Sequence, residues 1–346
     1  MTKLIEPIKV MIAGIGGASL GTEIYKSLQL AGNYEIYGCD ISPTAYGLYE
    51  EGFAKTYRVA RDDYVSSVLK ACLDAGAQFL VPGGEQPMTL LGAAAEKTES
   101  LGIRLLANTP EVISLYSDKD ATFRRLKECD IAIPRTIVVT GEADLDHVGL
   151  PCIVKPATGT GGSVAVFFAV NADEAMIYAT FIRRAGSVPI AQEYIDDREG
   201  EFTIGVLSLP DKQVVGSIAL RRVLDAKLSV AYRGRGGLIS SGYSQGHIGD
   251  YTELCRQAEI IAAAVGSCGP INVQGRVRNG VLLPFEINPR FSASTYLRAM
   301  AGFNEVDTLI KYWVTGVTPQ RPRIKAGWYL RSLTEKFVAE VAPSCL

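Results

Sequence analysis

FEINPRFSAS, residues 285 to 294, lies near the end of a 346-residue chain that contains only two histidines, and its reading decides the fold. With the residues before it, GVLLPFEIN (280–288) reads as a strand. Side chains two apart on a strand leave the same face, so Glu286 and Asn288 project together, about 6.6 Å apart along the backbone. Two oxygen donors side by side suit a hard cation: magnesium is held by one or two carboxylates and completes its shell with water and phosphate oxygens. Arg290, just past Pro289, adds a planar donor fork for a phosphate oxygen.

Working outward, PINVQGRV (270–277) is the partner strand, returning through Arg278-Asn279-Gly280. A two-residue Asn279-Gly280 loop sets Gln274 opposite Phe285, on the wrong face for Glu286. A three-residue loop with Gly280 left-handed pairs Val277 with Val281 and Val273 with Phe285, and brings Gln274 diagonally beside Glu286. The second is preferred because it matches apolar with apolar. Gln274, Glu286 and Asn288 are then the metal-ligand candidates.

Further upstream, CIVKPATGTGGSVAV (152–166) closes a strand on Lys155 and turns through Gly159, Gly161 and Gly162. Glycines let backbone N–H groups close around phosphate oxygens, and a lysine supplies the point charge. The order of a Walker A loop is absent, and the turn links two strands rather than opening a helix. In AQEYIDDREGEFTIGV (191–206), the extended residues Gln192, Glu193, Tyr194 and Ile195 can offer backbone groups to a flat base. Glu201 is the carboxylate chosen for the hydroxyls of a ribose. The run RRVLDAKLSVAYRGRGG carries Arg221, Arg222, Lys227, Arg233 and Arg235; it reads either as a solvated loop or as a clamp for an anion, and Arg298 is a further candidate clamp.

The N-terminal part alternates strand and helix: IKVMIAG (8–14), TEIYKSLQLAG (22–32), YEIYGCD (34–40), DYVSSVLKACLDAG (63–76), AQFLVPGG (77–84). This is the pattern of a doubly wound α/β domain, expected over 1–117. GIGGASLG with Asp40 invites a dinucleotide reading, but Ser19 stands where the third glycine belongs, and a close-packed strand-to-helix turn is the reading adopted. Ser117 and Asp120 read as the cap of a helix starting at KDATFRRLKECD (119–130). Beyond it the short β-rich runs suggest an α+β arrangement.

Composition bounds the rest. Forty-seven per cent hydrophobic and 21% charged residues with a net charge of −2 describe a globular protein without overall attraction for nucleic acid or an anionic membrane. No segment reads as a signal peptide or membrane helix, and the seven cysteines are scattered, so a reduced, cytoplasmic setting is expected.

Taken in order, Lys119, Lys155, the glycine turn, QEYI, Glu201, Gln274 and FEINPR resemble the ATP-grasp superfamily over about residues 8 to 315. GPINVQ…FEINPR is similar to one synthetase half of the carbamoyl phosphate synthase large subunit and to related carboxylate-amine ligases. The resemblance implies a pre-ATP-grasp domain over 1–117 followed by an ATP-grasp domain in two α+β subdomains, a lid subdomain over 118–195 and a C-terminal one with the metal site over 196–346. It implies that Lys119 and Lys155 contact ATP, that Thr158, Gly159, Thr160, Gly161, Gly162 and Ser163 form a lid, and that residues 192–195 hold the adenine. Glu201 would take the ribose, Gln274, Glu286 and Asn288 two Mg²⁺ ions (or Mn²⁺), and Arg290 the group in transfer. Lys155, Arg290 and Arg298 are the catalytic candidates. The chemistry implied is activation of a carboxylate as an acyl phosphate, ADP release and capture by an amine or amino acid, in a homodimer by analogy. Bicarbonate as the acid, or an ATP-binding sensor without turnover, stay as alternatives; a nicotinamide oxidoreductase is a distant one.

Overall fold

The computed structural model describes residues 6–17, 19–158 and 165–341. The first sheet is built from β1 (Ile8–Ala13), α1 (Leu20–Ala31), β2 (Tyr34–Asp40), β3 (Lys55–Arg58), α2 (Tyr64–Ala75), β4 (Phe79–Pro82), α3 (Glu85–Ala93), α4 (Ala95–Ser100) and β5 (Arg104–Leu105). Its strands run parallel in the order β3-β2-β1-β4-β5. Alternation along β1 divides the packing: Val10 and Ile12 join Ile24 and Leu28 of α1, while Met11 and Ala13 join Val68 and Cys72 of α2. The glycine turn after β1 is a packing device. A Cβ on Gly21 would stand 1.8 Å from the Gly14 oxygen, and Asp40 accepts the N–H groups of Ile15 and Ser42 at 2.8 and 2.9 Å. Among the described residues no helix is long and apolar enough to cross a membrane.

Two helices then follow with a one-residue break, α5 (Pro110–Ser117) and α6 (Lys119–Glu128). The cap of α6 is Asp118, whose carboxylate accepts from the N–H groups of Asp120 and Ala121 at 2.9 and 3.2 Å. This corrects the expected Ser117 cap by one residue. Ser117 still belongs to the preceding helix, and Asp118 is the residue with the extended backbone that a cap requires.

An antiparallel four-stranded sheet comprises β6 (Thr136–Val138), β7 (Cys152–Pro156), β8 (Phe167–Ala169) and, after α7 (Ala172–Arg184), β9 (Pro189–Glu193), in the order β6-β9-β7-β8. Gly159, Thr160, Gly161, Gly162 and Ser163, the expected lid residues after Thr158, lie outside the described residues.

The largest sheet takes β10 (Glu201–Ser208), β11 (Val214–Arg222), β14 (Gly246–Ile248), β15 (Pro270–Arg278), β16 (Val281–Asn288) and β17 (Gly327–Tyr329), with a separate hairpin, β12 (Val230–Gly234) and β13 (Gly237–Ser240), between β11 and β14. Its order is β16-β15-β10-β11-β14-β17. One face carries α8 (Thr252–Ala264), packed on Phe202, Ile204 and Val206. Against the other lie α9 (Thr295–Met300) and α10 (Glu305–Thr315), and there a single core continues through Leu297, Val306 and Ile310 into Ile24 and Leu28 of α1.

The β15–β16 hairpin departs from both registers weighed above. Asn279 (φ 54°) and Gly280 (φ 73°) form a two-residue left-handed turn, and Arg278 faces Val281. Such a register, continued, would set Gln274 against Phe285. Instead β16 bulges: Gly275 faces Pro284, Gln274 faces Glu286, and Phe285 is the extra residue. Pro284 has no N–H to give to the ladder, so a break in pairing costs least there. The preferred three-residue turn is therefore corrected, and Val273 meets Ile287 and Val277 meets Leu282.

Candidate functional site

Lys155 stands at the end of β7, and β9 beside it brings Gln192. The Lys155 Nζ donates to Gln192 Oε1 at 2.8 Å and to the main-chain oxygen of the bulged Phe285 at 2.9 Å. Only 5% of the residue is exposed. Burial, helped by the neighbouring charge of Lys119, pushes the ammonium down to about 7 against the pull of Glu286. Lys119 itself is placed by the first turn of α6, where its N–H donates to the Ala157 oxygen at 2.9 Å.

Between the four- and six-stranded sheets lies a cleft of about 340 Å³. Ile153, Ile195, Leu238 and Ile239 make flat apolar walls, while Lys119, Lys155 and Glu286 also line it. Apolar walls with a few convergent charges are the usual design of a small-ligand site. Residues 192–195, the end of β9 and the two residues after it, border this slot and are braced from behind: Arg276 Nη1 donates to the Ile195 oxygen at 2.6 Å, and the Leu238 N–H donates to Tyr194 Oη at 2.9 Å.

The brace runs on into Glu201, which also lines the cleft. Its residue is 1% exposed, and its two oxygens accept from Arg222 Nη1 at 2.8 Å and Arg276 Nε at 3.0 Å. A carboxylate so engaged in two buried ion pairs is a structural hub in the wall of the slot. Through Arg276 it fixes Ile195 and Leu238, and through Arg222 the carbonyls of Ser241 and Tyr243. The basic run is likewise dispersed. Arg222 is buried, Arg233 donates to the Leu224 oxygen, and Arg235 pairs with Glu174, so the five cations do not converge on one anion site.

Gln274, Glu286 and Asn288 are brought together as expected, although by the bulge. Gln274 faces Glu286 and Asn272 faces Asn288 across the two strands. Asn288 is 6% exposed; its Oδ1 accepts from Arg290 Nη2 at 3.2 Å, while its Nδ2 and the Arg290 Nε have no protein partner. The open N–H donors fit phosphate oxygens, and the three side-chain oxygen donors beside them fit the hard cation that would accompany those phosphates. Burial lowers the Arg290 guanidinium, opposed by the charges of Glu286 and Glu85.

Glu85 was not singled out in the sequence. It opens α3 in the N-terminal part and lines a narrow crevice together with Lys119, Glu286 and Asn288. The signal available was the glycine pair Gly83-Gly84 between a strand and a helix start, but nothing in the sequence says that this helix end faces Glu286.

Arg298 does not join the site. It is fully buried behind the sheet, with Nη1 at 3.4 Å from Glu305 Oε2 and Nη2 donating to Thr203 Oγ1 at 3.2 Å and Asn272 Oδ1 at 2.5 Å. The expectation of an anion clamp at Arg298 is corrected: its charge is spent on Glu305, and it borders none of the cavities described here. Gly205 makes room for the pair, because a Cβ there would stand 2.2 Å from the Arg298 Nη1.

The carbamoyl phosphate synthase large chain of Rubrobacter xylanophilus is 26% identical over 219 residues, covering 61% of this chain and 19% of its own length. The chain thus spans about a fifth of the length of the curated relatives it matches. Two solved structures superpose on 92% of the chain. They are the biotin carboxylase domain of Hydrogenobacter thermophilus 2-oxoglutarate carboxylase, in complex with MgADP, ADP and bicarbonate (TM-score 0.67, 14% identity, 73% of that chain), and an L-amino acid ligase from Bacillus licheniformis (0.64, 14%, 76%). At this identity they speak for the fold. Residues 116–294, just over half of the chain and including every site residue above except Glu85 and Arg298, match the ATP-grasp domain, and the chain belongs to that family.

Proposed function

We propose that the protein is an ATP-dependent ligase that activates a carboxylate as an acyl phosphate, releases ADP, and joins the acyl group to an amine or amino acid. The observation that carries this reading is the meeting of two lysines, three oxygen donors and a half-buried arginine at one edge of an apolar slot, with no histidine among them. We take residues 1–117 as the pre-ATP-grasp domain and 118–195 and 196–346 as the two halves of the ATP-grasp domain, in a homodimer.

In this reading the adenine lies against residues 192–195, and Lys155 and Lys119 meet the phosphates. The polyanion draws a proton onto Lys155, which is otherwise held near neutrality by burial. Gln274, Glu286 and Asn288 would hold Mg²⁺, which supplies charge neutralisation and orientation of the phosphates. A carboxylate oxygen attacks the γ-phosphorus; the bond from that phosphorus to the bridging oxygen breaks, and ADP leaves with the electron pair. Arg290 stabilises the charge on the transferred group. The amine then attacks the acyl carbon, phosphate leaves, and the nitrogen loses its proton. Positioning and charge do the work, so the scarcity of histidine is no obstacle.

ADP release from MgATP, screened with pooled carboxylic acids with and without pooled amino acids, tests the proposal. Release that needs both pools and is lost in Glu286→Ala supports it; tight ATP binding without release in any pool removes it. The likeness to carbamoyl phosphate synthase favours one second reading, bicarbonate as the acid, which would show as bicarbonate-dependent ADP release without an organic acid.

A further inference from the structure

A further cavity, of about 90 Å³, shares Phe285 and Glu286 with the adenine slot. Its edge is formed by Gln274, Glu286 and Arg290, so a ligand inside it would lie next to the transferred phosphoryl group. Thr203 and Asn272 form the floor. The walls are two loops, 240–244 and 292–294, and contribute Ser244, Ser292 and Ser294, all buried.

The floor has a defined polarity. Asn272 Oδ1 is taken by Arg298 at 2.5 Å and by Thr203 Oγ1 at 2.8 Å, which leaves its amide N–H groups as the donors for the cavity. Arg290 is the one cation of the lining, and its Nε has no protein partner. Donors above and below, hydroxyls around and no broad apolar wall call for a ligand rich in acceptors. Since a water needs about 10–15 Å³ of such space, the volume admits roughly six to nine heavy atoms.

The walls are fixed by Arg331, in the segment after β17. Its guanidinium donates to Glu23 of α1 at 2.7 Å and to the oxygen of Ala293; its N–H donates to Gln245 Oε1 at 3.2 Å, and its oxygen accepts from Tyr243 Oη. One residue therefore ties both loops to the N-terminal part of the chain.

We propose that this cavity is the seat of the acid substrate, a small carboxylate bearing a hydroxyl, carbonyl or amide, and that Arg331 is the positioning residue that keeps it shaped. The assignment rests on the ligase reading above. The carboxylate pairs with Arg290, facing the γ-phosphorus, and the second polar group is held by Asn272 and the serines.

The test is ADP release from MgATP, with pooled amino acids, for hydroxy acids lengthened one carbon at a time from glycolate. Stimulation is expected for acids up to about nine heavy atoms and should then fall away. Ala293→Leu, which adds bulk to the wall, should raise the KM of the acid by about tenfold or more, as a misfit of a few methylenes does, with the KM of ATP within about twofold. Arg331→Met should raise the acid KM while kcat at saturation holds, speed hydrogen exchange in 240–245 and 292–294 but not in β10 or β15, and be partly rescued by Arg331→Lys. Equal stimulation by much longer acids, parallel rises of both KM values in Ala293→Leu, or unchanged exchange of the two loops in Arg331→Met would overturn the assignment while leaving the ligase reading intact. No stimulation by any acid, with ATP still bound, would instead remove the ligase reading and the subsite with it.

Discussion

Lys155 Nζ lies 2.9 Å from the main-chain oxygen of Phe285, so the buried cation of the four-stranded sheet is tied to the bulge of the six-stranded sheet one residue before Glu286. The oxygen is available because the bulge takes Phe285 out of the strand ladder. A charge beside the phosphates and the strand that carries the metal-ligand candidates are in this way held in one register.

Burial holds Lys155 near 7, so above that pH the free protein carries it largely neutral, while the unfolded chain keeps the proton up to about 10.5. The unfolded state then binds more protons, and stability rises with pH between about 7 and 10.5, by at most about 1.4 kcal/mol per unit from this group. Urea unfolding across that window should show the slope in the wild type and its loss in Lys155→Met. Calorimetry near pH 8 in buffers of different ionisation enthalpy should show proton uptake on MgATP binding that disappears in the same variant.

Glu286→Gln keeps the shape of the side chain and removes its charge. ADP formation should fall by about 10²-fold or more, as when one preorganised charge-stabilising group is lost, and raising Mg²⁺ should recover part of it. Thermal stability should change little, because Glu286 is only half-buried. A turnover equal to the wild type would show that the cation is held elsewhere.

Arg290 and Arg298 should separate cleanly. Arg298→Met strips Glu305 of its buried partner and should cost about 3–5 kcal/mol of stability, with the KM values of the remaining folded protein near normal. Gly205→Ala should act in the same direction, since its Cβ collides with that pair. Arg290→Met should do the opposite, lowering turnover with little effect on the urea midpoint. Stability and kinetics measured on all three variants decide the matter.

Glu201→Ala leaves Arg222 and Arg276 both buried and unpaired, and a loss of about 3 kcal/mol or more is expected. The carbonyls of Ile195, Leu238, Ser241 and Tyr243 depend on those arginines, so the affinity for ATP should fall as well. Arg276→Lys keeps the charge but cannot serve three acceptors in a planar fork, and should show the milder form of both effects.

Features set by local patterns were legible in the sequence. Strand β16 at Val281–Asn288 and strands β1 and β2 followed from their apolar runs, and Gln274 was read beside Glu286. That last reading reached the right neighbour by a wrong turn, because a proline that breaks the ladder is visible while the bulge it permits is not. The short β3 at Lys55–Arg58, with one buried residue in four, carried too little pattern to notice. The bracing role of Glu201, the burial of Arg298 and the place of Glu85 were not legible for one reason. Their surroundings are set by partners that no local pattern marks, Arg222 and Arg276 for Glu201, Glu305 for Arg298 and the strand of Glu286 for Glu85. A buried arginine and a catalytic one look alike until the carboxylate opposite is known.

The core that runs from Ile24 and Leu28 of α1 into Leu297, Val306 and Ile310 has a consequence for how the chain comes apart. Helix α1 has its inner face on the first sheet and its flank on α9 and α10, so the opening third of the polypeptide is not a module that can be lifted out. Cut after residue 117, it would present to water an apolar seam that is normally dry, and would be lost to aggregation or proteolysis. Heat should therefore dissolve the two ends of the chain together in one transition, and any swing of the four-stranded sheet over the nucleotide must pivot against a base that moves as a single block.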